Sequence, residues 1–175
     1  MAQEAGIKLT KNDLPNLVAA IQALTTSRVA VGVPATQALR KPEPGEKGDV
    51  NNAMLAYIHE NGCPAANIPP RPFLKPTIEF MRANIAAQLR QIAVNGLKGR
   101  LDAVERGFHI LGLKVSTAVK MKINTGPFQK LADATIARRR ARGRMGTKPL
   151  LDTGQLRNAI TYVIKRVRGI SQLWS

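Results

Sequence analysis

The stretch "CPAANIPPRPFLKP", residues 63–76, places five prolines in fourteen positions. Each proline fixes φ near −65° and removes a backbone donor, so the segment can be neither helix interior nor central strand. It reads as an extended connector, with Ile68, Phe73 and Leu74 as its apolar anchors. Whatever the chain folds into, regular elements must lie on either side of this strap and be joined through it.

Upstream, "TKNDLPNLVAAIQAL" offers Thr10 and Asn12 as N-caps and Pro15 in a first helical turn, and Leu17, Ile21 and Leu24 follow at helical spacing. "RVAVGVP", residues 28–34, is short and β-branched and reads as a strand. "KPEPGEKGDV", residues 41–50, mixes proline, glycine and both charges, as an exposed mobile loop does. "VNNAMLAYIHENG", residues 50–62, predicts a helix ended by Gly62, with Met54, Leu55 and Ile58 on one face.

Downstream, Ile78, Met81, Ile85, Leu89 and Ile92 align on one helical face. Leu101, Val104, Phe108, Leu111, Val115 and Val119 align on another. Gly96 and Gly99 either separate two helices here or bend one long helix. "NTGPFQKL", residues 124–131, breaks the pattern; "ADATIARRRARG" then predicts a short helix capped by Asp133 and closed by Gly143. A helix-like "GQLRNA" precedes the strand-like "ITYVIKRV".

The net charge of +16 is unevenly placed. Residues 1–70 balance at six basic and six acidic side chains, 71–132 carry eleven against three, and 133–175 carry ten against two. The excess predicts a polyanionic or acidic partner. No run reaches the ~18 apolar residues of a membrane span. The start lacks the pattern of a secretory signal, which predicts synthesis in the cytoplasm. The lone Cys63 excludes an internal disulfide.

Candidate chemistry is sparse. Asp152-Thr153-Gly154 is the triplet of aspartic proteases, but that reaction needs two carboxylates sharing a proton. A local cap is the simpler reading, the Asp or Thr oxygen accepting from free amides at the start of a short helix. His59 and Cys63 are too few to hold a metal, with only His109 to add. No phosphate loop is present, and neither a catalytic residue nor a cofactor is expected. The basic run holds Arg138, Arg139, Arg140, Arg142, Arg144 and Lys148. Consecutive arginines point around a helix and suit phosphate backbone or acidic protein surfaces better than base readout. Without aromatic residues interleaved, a stacking platform for single strands is disfavoured.

Three pieces in order, "NAMLAYIHENG", "NIPPRPFLKP" and "TIARRRARG…TKPLLDTGQLRNAITYVI", resemble the tail-completion proteins of the neck of long-tailed bacteriophages. The resemblance covers roughly residues 28–165, including the opening strand "VAVGVP". Arg71, Pro72, Phe73 and Leu74 match one signature; Pro149, Leu150, Asp152, Thr153, Gly154 and Leu156 match the other. Where the family carries an aromatic residue between Glu and Gly, this chain has Asn61. The resemblance implies a single α+β domain over residues 1–175, with long amphipathic helices packed on a small, mainly antiparallel sheet. It further implies a non-enzymatic virion protein that forms a hexameric ring around the DNA channel and joins head-closure and tail-terminator proteins. On that reading the loop at 41–50 and the basic segment 138–148 are the contact arms, meeting acidic neighbours or, transiently, genomic DNA. A basic nucleic-acid-binding module is the alternative.

Overall fold

The computed structural model describes residues 14–41 and 50–166. The chain runs α1 (Leu14–Thr26), β1 (Ser27–Gly32), α2 (Asn52–Asn61), α3 (Lys75–Leu97), α4 (Leu101–Thr125), α5 (Asp133–Ala141), α6 (Gln155–Ala159) and β2 (Thr161–Arg166). Short 3-10 turns occupy Ala35–Gln37 and Pro64–Ala66. The architecture is α+β: among the described residues, six helices and a two-stranded antiparallel sheet in which Ser27 faces Arg166 and Gly32 faces Thr161.

An isolated pair of strands is marginal in water and needs a helix to cover one face. Helix α4 is that cover. Val29 and Val31 of β1 and Ile164 of β2 pack on the cluster formed by Ile92, Val104, Phe108, Leu111 and Val115. Tyr162 lies directly over Gly112, where any Cβ would overlap its ring. Further along α4, Val119 and Ile123 enter a second cluster with Phe73, Leu150, Leu156 and Ile160. One helix thus belongs to both cores, its buried positions 104, 108, 111, 115 and 119 repeating every three or four residues.

Residues 98–100 separate α3 from α4, with Gly99 at φ +68°, in the left-handed region that favours glycine. Gly96 does not interrupt the pattern but lies buried in the last turn of α3, against Leu24. On α3, Ile92 is buried and Met81 and Ile85 pack beside it, but Ile78 and Leu89 stay about 40% exposed. The helix rests on α4 and α1 rather than on the sheet, so it buries a narrower stripe than its apolar period predicts. Met54 of α2 is likewise half exposed, while Leu55 and Ala56 pack towards the Phe73 cluster.

The strap is held at three points. Cys63 and Ile68 form an isolated antiparallel bridge, and the Arg71 amide donates to the His59 carbonyl at 2.6 Å. The Glu60 carboxylate then accepts from the amides of Phe73, Leu74 and Lys75, each at 2.8 Å. These are free donors at the start of α3, which has no cap from its own flanking side chain. Phe73, 1% exposed, is thereby delivered to the core.

Several expected caps differ. Ala132, not Asp133, is the N-cap of α5, and Asp133 lies in its first turn. Gly154 at φ +74° precedes α6 with no side-chain cap; only the Thr153 hydroxyl reaches the Gln155 amide, at 3.4 Å. Gly62 does end α2 and Gly143 follows α5, both at positive φ. The caps expected at Thr10 and Asn12, and residues 42–49 of the expected mobile loop, lie outside the described residues.

Truncating Phe73→Ala should lower stability by about 3–5 kcal/mol, read from the chemical-denaturation midpoint, because the cluster can collapse only partly around the lost ring.

Candidate anion-binding cleft

A cleft of about 1070 Å³ opens between one face of α2, the strap, residues 129–135, α5 and the 150–156 turn. It brings together residues far apart in sequence: Arg40, Asn52 and His59, then Arg71, then Arg138, Arg139 and Arg142, then Asp152. Leu55, Ile68, Leu131, Leu150 and the strap prolines supply an apolar part of its wall.

Two of its guanidiniums are buried and act first as internal ties. Arg71, 6% exposed, donates from Nε to the Gln129 carbonyl at 3.0 Å and from Nη2 to that of Lys130 at 3.4 Å. Arg139, 8% exposed, donates from Nη1 to the carbonyls of Gly146, Lys148 and Leu151 at 3.1, 2.9 and 3.4 Å. Those carbonyls bracket Leu150, a non-glycine residue at φ +63°, a conformation that costs on the order of 1–3 kcal/mol unless its surroundings impose it. Arg139 therefore fixes the turn that sends Leu150 into the core.

Asp152 is neither a cap nor one half of a carboxylate pair. Its Oδ1 lies 3.4 Å from Arg139 Nε, and its Oδ2 accepts from Arg144 Nη1 at 2.9 Å. The expectation that Arg139 faces a partner or DNA is corrected here: a helix with arginines all round must turn one inward, and this one is buried. Arg138 and Arg140 stay exposed on α5. Lys148 is also exposed, with its Nζ 3.5 Å from the Asn124 carbonyl.

Among the described lining residues, Arg40, Arg71, Lys130, Arg138, Arg139 and Arg142 stand against the single carboxylate of Asp152. His59 adds no charge: burial, then the nearby Arg71 and Arg139, pull its imidazole down to about 4. Burial and Arg139 also lower Arg71 from its ordinary value, though a guanidinium stays protonated. Asn52 Oδ1 and His59 Nδ1, both buried at the wall, find no hydrogen-bond partner among the described residues. Asn52 donates its amide N–H groups to the Gln37 and Leu39 carbonyls at 3.4 and 3.2 Å, which fixes the orientation of its oxygen.

Of the signature residues, Arg71, Leu150, Asp152, Thr153, Gly154 and Leu156 line the cleft, and Phe73 packs behind it. Pro72 borders a smaller hollow beside it with Pro76 and Phe128. Leu74 packs on the Phe73 cluster and Pro149 is half-buried, both outside the lining. Arg140, Arg144 and Lys148 also lie outside it. Asn52 and Glu60 carry no local signal of these roles in the sequence, because their partners lie thirteen to fifteen residues away along the chain. No group of three or more histidine, cysteine, aspartate or glutamate side chains able to hold a metal occurs among the described residues.

Comparison with known protein families, curated proteins and solved structures finds no match for this chain. The site is accordingly read from its own geometry.

Two measurements test that reading. A His59 depressed to about 4 binds fewer protons folded than unfolded, so its contribution is complete above about pH 6.5 and is lost as pH falls towards 4. Across that window, His59→Gln should lose less stability than the unaltered chain, compared by denaturation midpoints. Arg139→Met should cost about 2–4 kcal/mol at neutral pH, since it strips three carbonyls of their shared donor and leaves Asp152 with one partner fewer.

Proposed function

We propose that the chain is a structural protein of the bacteriophage head–tail junction, assembling with itself in a ring and bridging neighbouring neck and tail proteins around the DNA channel. The observation that carries this reading is the meeting of the two signature segments. Residues 71–74 and 149–156 are more than seventy positions apart, yet Phe73 shares a core cluster with Leu150 and Leu156. Arg71 and Asp152 line one cleft. A braced strap and a pinned turn lose little conformational entropy on docking, which suits a part whose work is to present a fixed surface.

The exposed cations of α5 support contact with acidic neighbours. Charge-assisted hydrogen bonds from guanidinium to carboxylate give such joints strength and register. A tight grip on the genome would oppose its exit, so phosphate contact in the channel is transient on this reading. The ring, its hexameric count and residence in the virion belong to the same proposal. No described helix is long and apolar enough to cross a membrane.

The exposure of Arg138 and Arg140 favours one second reading, a basic module that binds nucleic acid. Duplex affinity that falls steeply with added salt, in a chain absent from particles, would favour it.

Arg138→Glu with Arg140→Glu reverses two exposed charges and spares the buried Arg139. In a phage that encodes the chain, this variant should leave filled heads and finished tails unjoined, as seen by electron microscopy of lysates. Normal joined particles would count against the role.

A further inference from the structure

We infer that the outer face of α3 is a self-association surface, on which a second copy of this chain docks its own α3 antiparallel. The helix is apolar on two opposite sides. One side, with Met81, Ile85, Ile92 and Gly96, packs on α4 and α1. The other carries Phe80, Ala83, Ala87, Arg90, Val94 and Leu97, all exposed and none in either core cluster.

These six recur at alternating steps of three and four residues, the spacing of a coiled-coil seam. The seam, residues 80–97, is about 26 Å long. Phe80, 87% exposed, and Leu97, 68% exposed, mark its ends. A single exposed apolar side chain needs no explanation, but a regular stripe of them along a whole helix marks a surface that is covered by something else.

Size and charge choose the second copy as the cover. Laid antiparallel, the stripe meets itself with Phe80 opposite Leu97, Ala83 opposite Val94 and Ala87 opposite Arg90. Small residues thus face larger ones, and Ala87 leaves room for the Arg90 stem while its guanidinium reaches water at the side. A slip of one heptad would set Arg90 against Val94 or Phe80, so this one polar position fixes the register. Glu79, the single acid of α3, flanks one end of the stripe, and Lys98 and Arg100 flank the other. Antiparallel packing sets each Glu79 beside the other copy's Lys98 and Arg100. Parallel packing would set Glu79 on Glu79 and Arg90 on Arg90. Within one chain Glu79 meets Arg82 at 3.8 Å, a largely exposed contact that contributes little. Lys98 and Arg100 form no ion pair among the described residues.

A two-fold contact closes on two copies, whereas a ring needs head-to-tail contacts. The pair is therefore a form of the free chain, and it does not rest on the junction role. Sedimentation equilibrium of the purified full chain at physiological salt tests it, and a dimer should form below about 100 μM. Ala83→Lys with Leu97→Lys puts charge into the seam and should weaken the dimer about tenfold or more. Leu113→Lys with Met121→Lys adds the same charge at exposed positions of α4 and should change it less than about twofold. Glu79→Lys alone, and Lys98→Glu with Arg100→Glu alone, should each weaken the dimer about fivefold. An equimolar mixture of those two variants should recover it, because both ends of a mixed antiparallel pair then join opposite charges. Every altered side chain is exposed, and a thermal melt confirms that each variant folds. A monomer at about 100 μM would overturn the proposal and leave the stripe to a different protein. Equal losses from the α3 and α4 pairs, or a mixture that stays dissociated, would also overturn it. Rings that form without a dimer and ignore the seam variant would overturn it while supporting the junction role. The expected dimer, in a chain missing from virions, would remove the junction role and leave the pairing in place.

Discussion

Glu60 holds the molecule's two halves in register. Its carboxylate reaches over the strap to three amides that open α3, thirteen to fifteen residues away. Negative charge at that end also meets the positive pole of the helix. With the strap clamped there, Phe73 points to the core and Arg71 into the cleft on opposite sides of Pro72. The prolines make the strap stiff, but stiffness alone does not choose a direction. The carboxylate chooses it.

The second constraint is the handling of positive charge. A short helix carrying Arg138, Arg139 and Arg140 in succession cannot keep them all in solvent and also pack on a core. Arg139 is turned inward, where backbone carbonyls and Asp152 surround it. Burying a guanidinium is costly unless its donors are engaged, and the 146–151 turn folds around this one. The same side chain therefore stabilises the unusual backbone at Leu150, which in turn fills the cluster around Phe73. Electrostatics and packing are joined at one residue.

Much of the fold was legible because its signals are local. The apolar period of α4, the break at Gly99, the ends marked by Gly62 and Gly143, and the β-branched last strand can each be read within a few turns. The site was legible only in part. Arg71 and Asp152 stand out through their motifs, but their shared cleft depends on contacts across some eighty positions. Arg139 cannot be told from Arg138 or Arg140 by composition, since burial is decided by which face meets the turn. Asp152 looked like a cap because that is the commonest use of Asp before a short helix; a nearby buried cation claimed it instead. Ile78 and Leu89 kept the helical period yet stayed exposed, because periodicity specifies a face and not the width of what covers it.

The membership of α4 in both cores has a mechanical consequence. The two core clusters are joined by one unbroken span, Leu101–Thr125, with no hinge between them. A pull or twist applied at the strap passes along this rod to the strands instead of being absorbed in a joint.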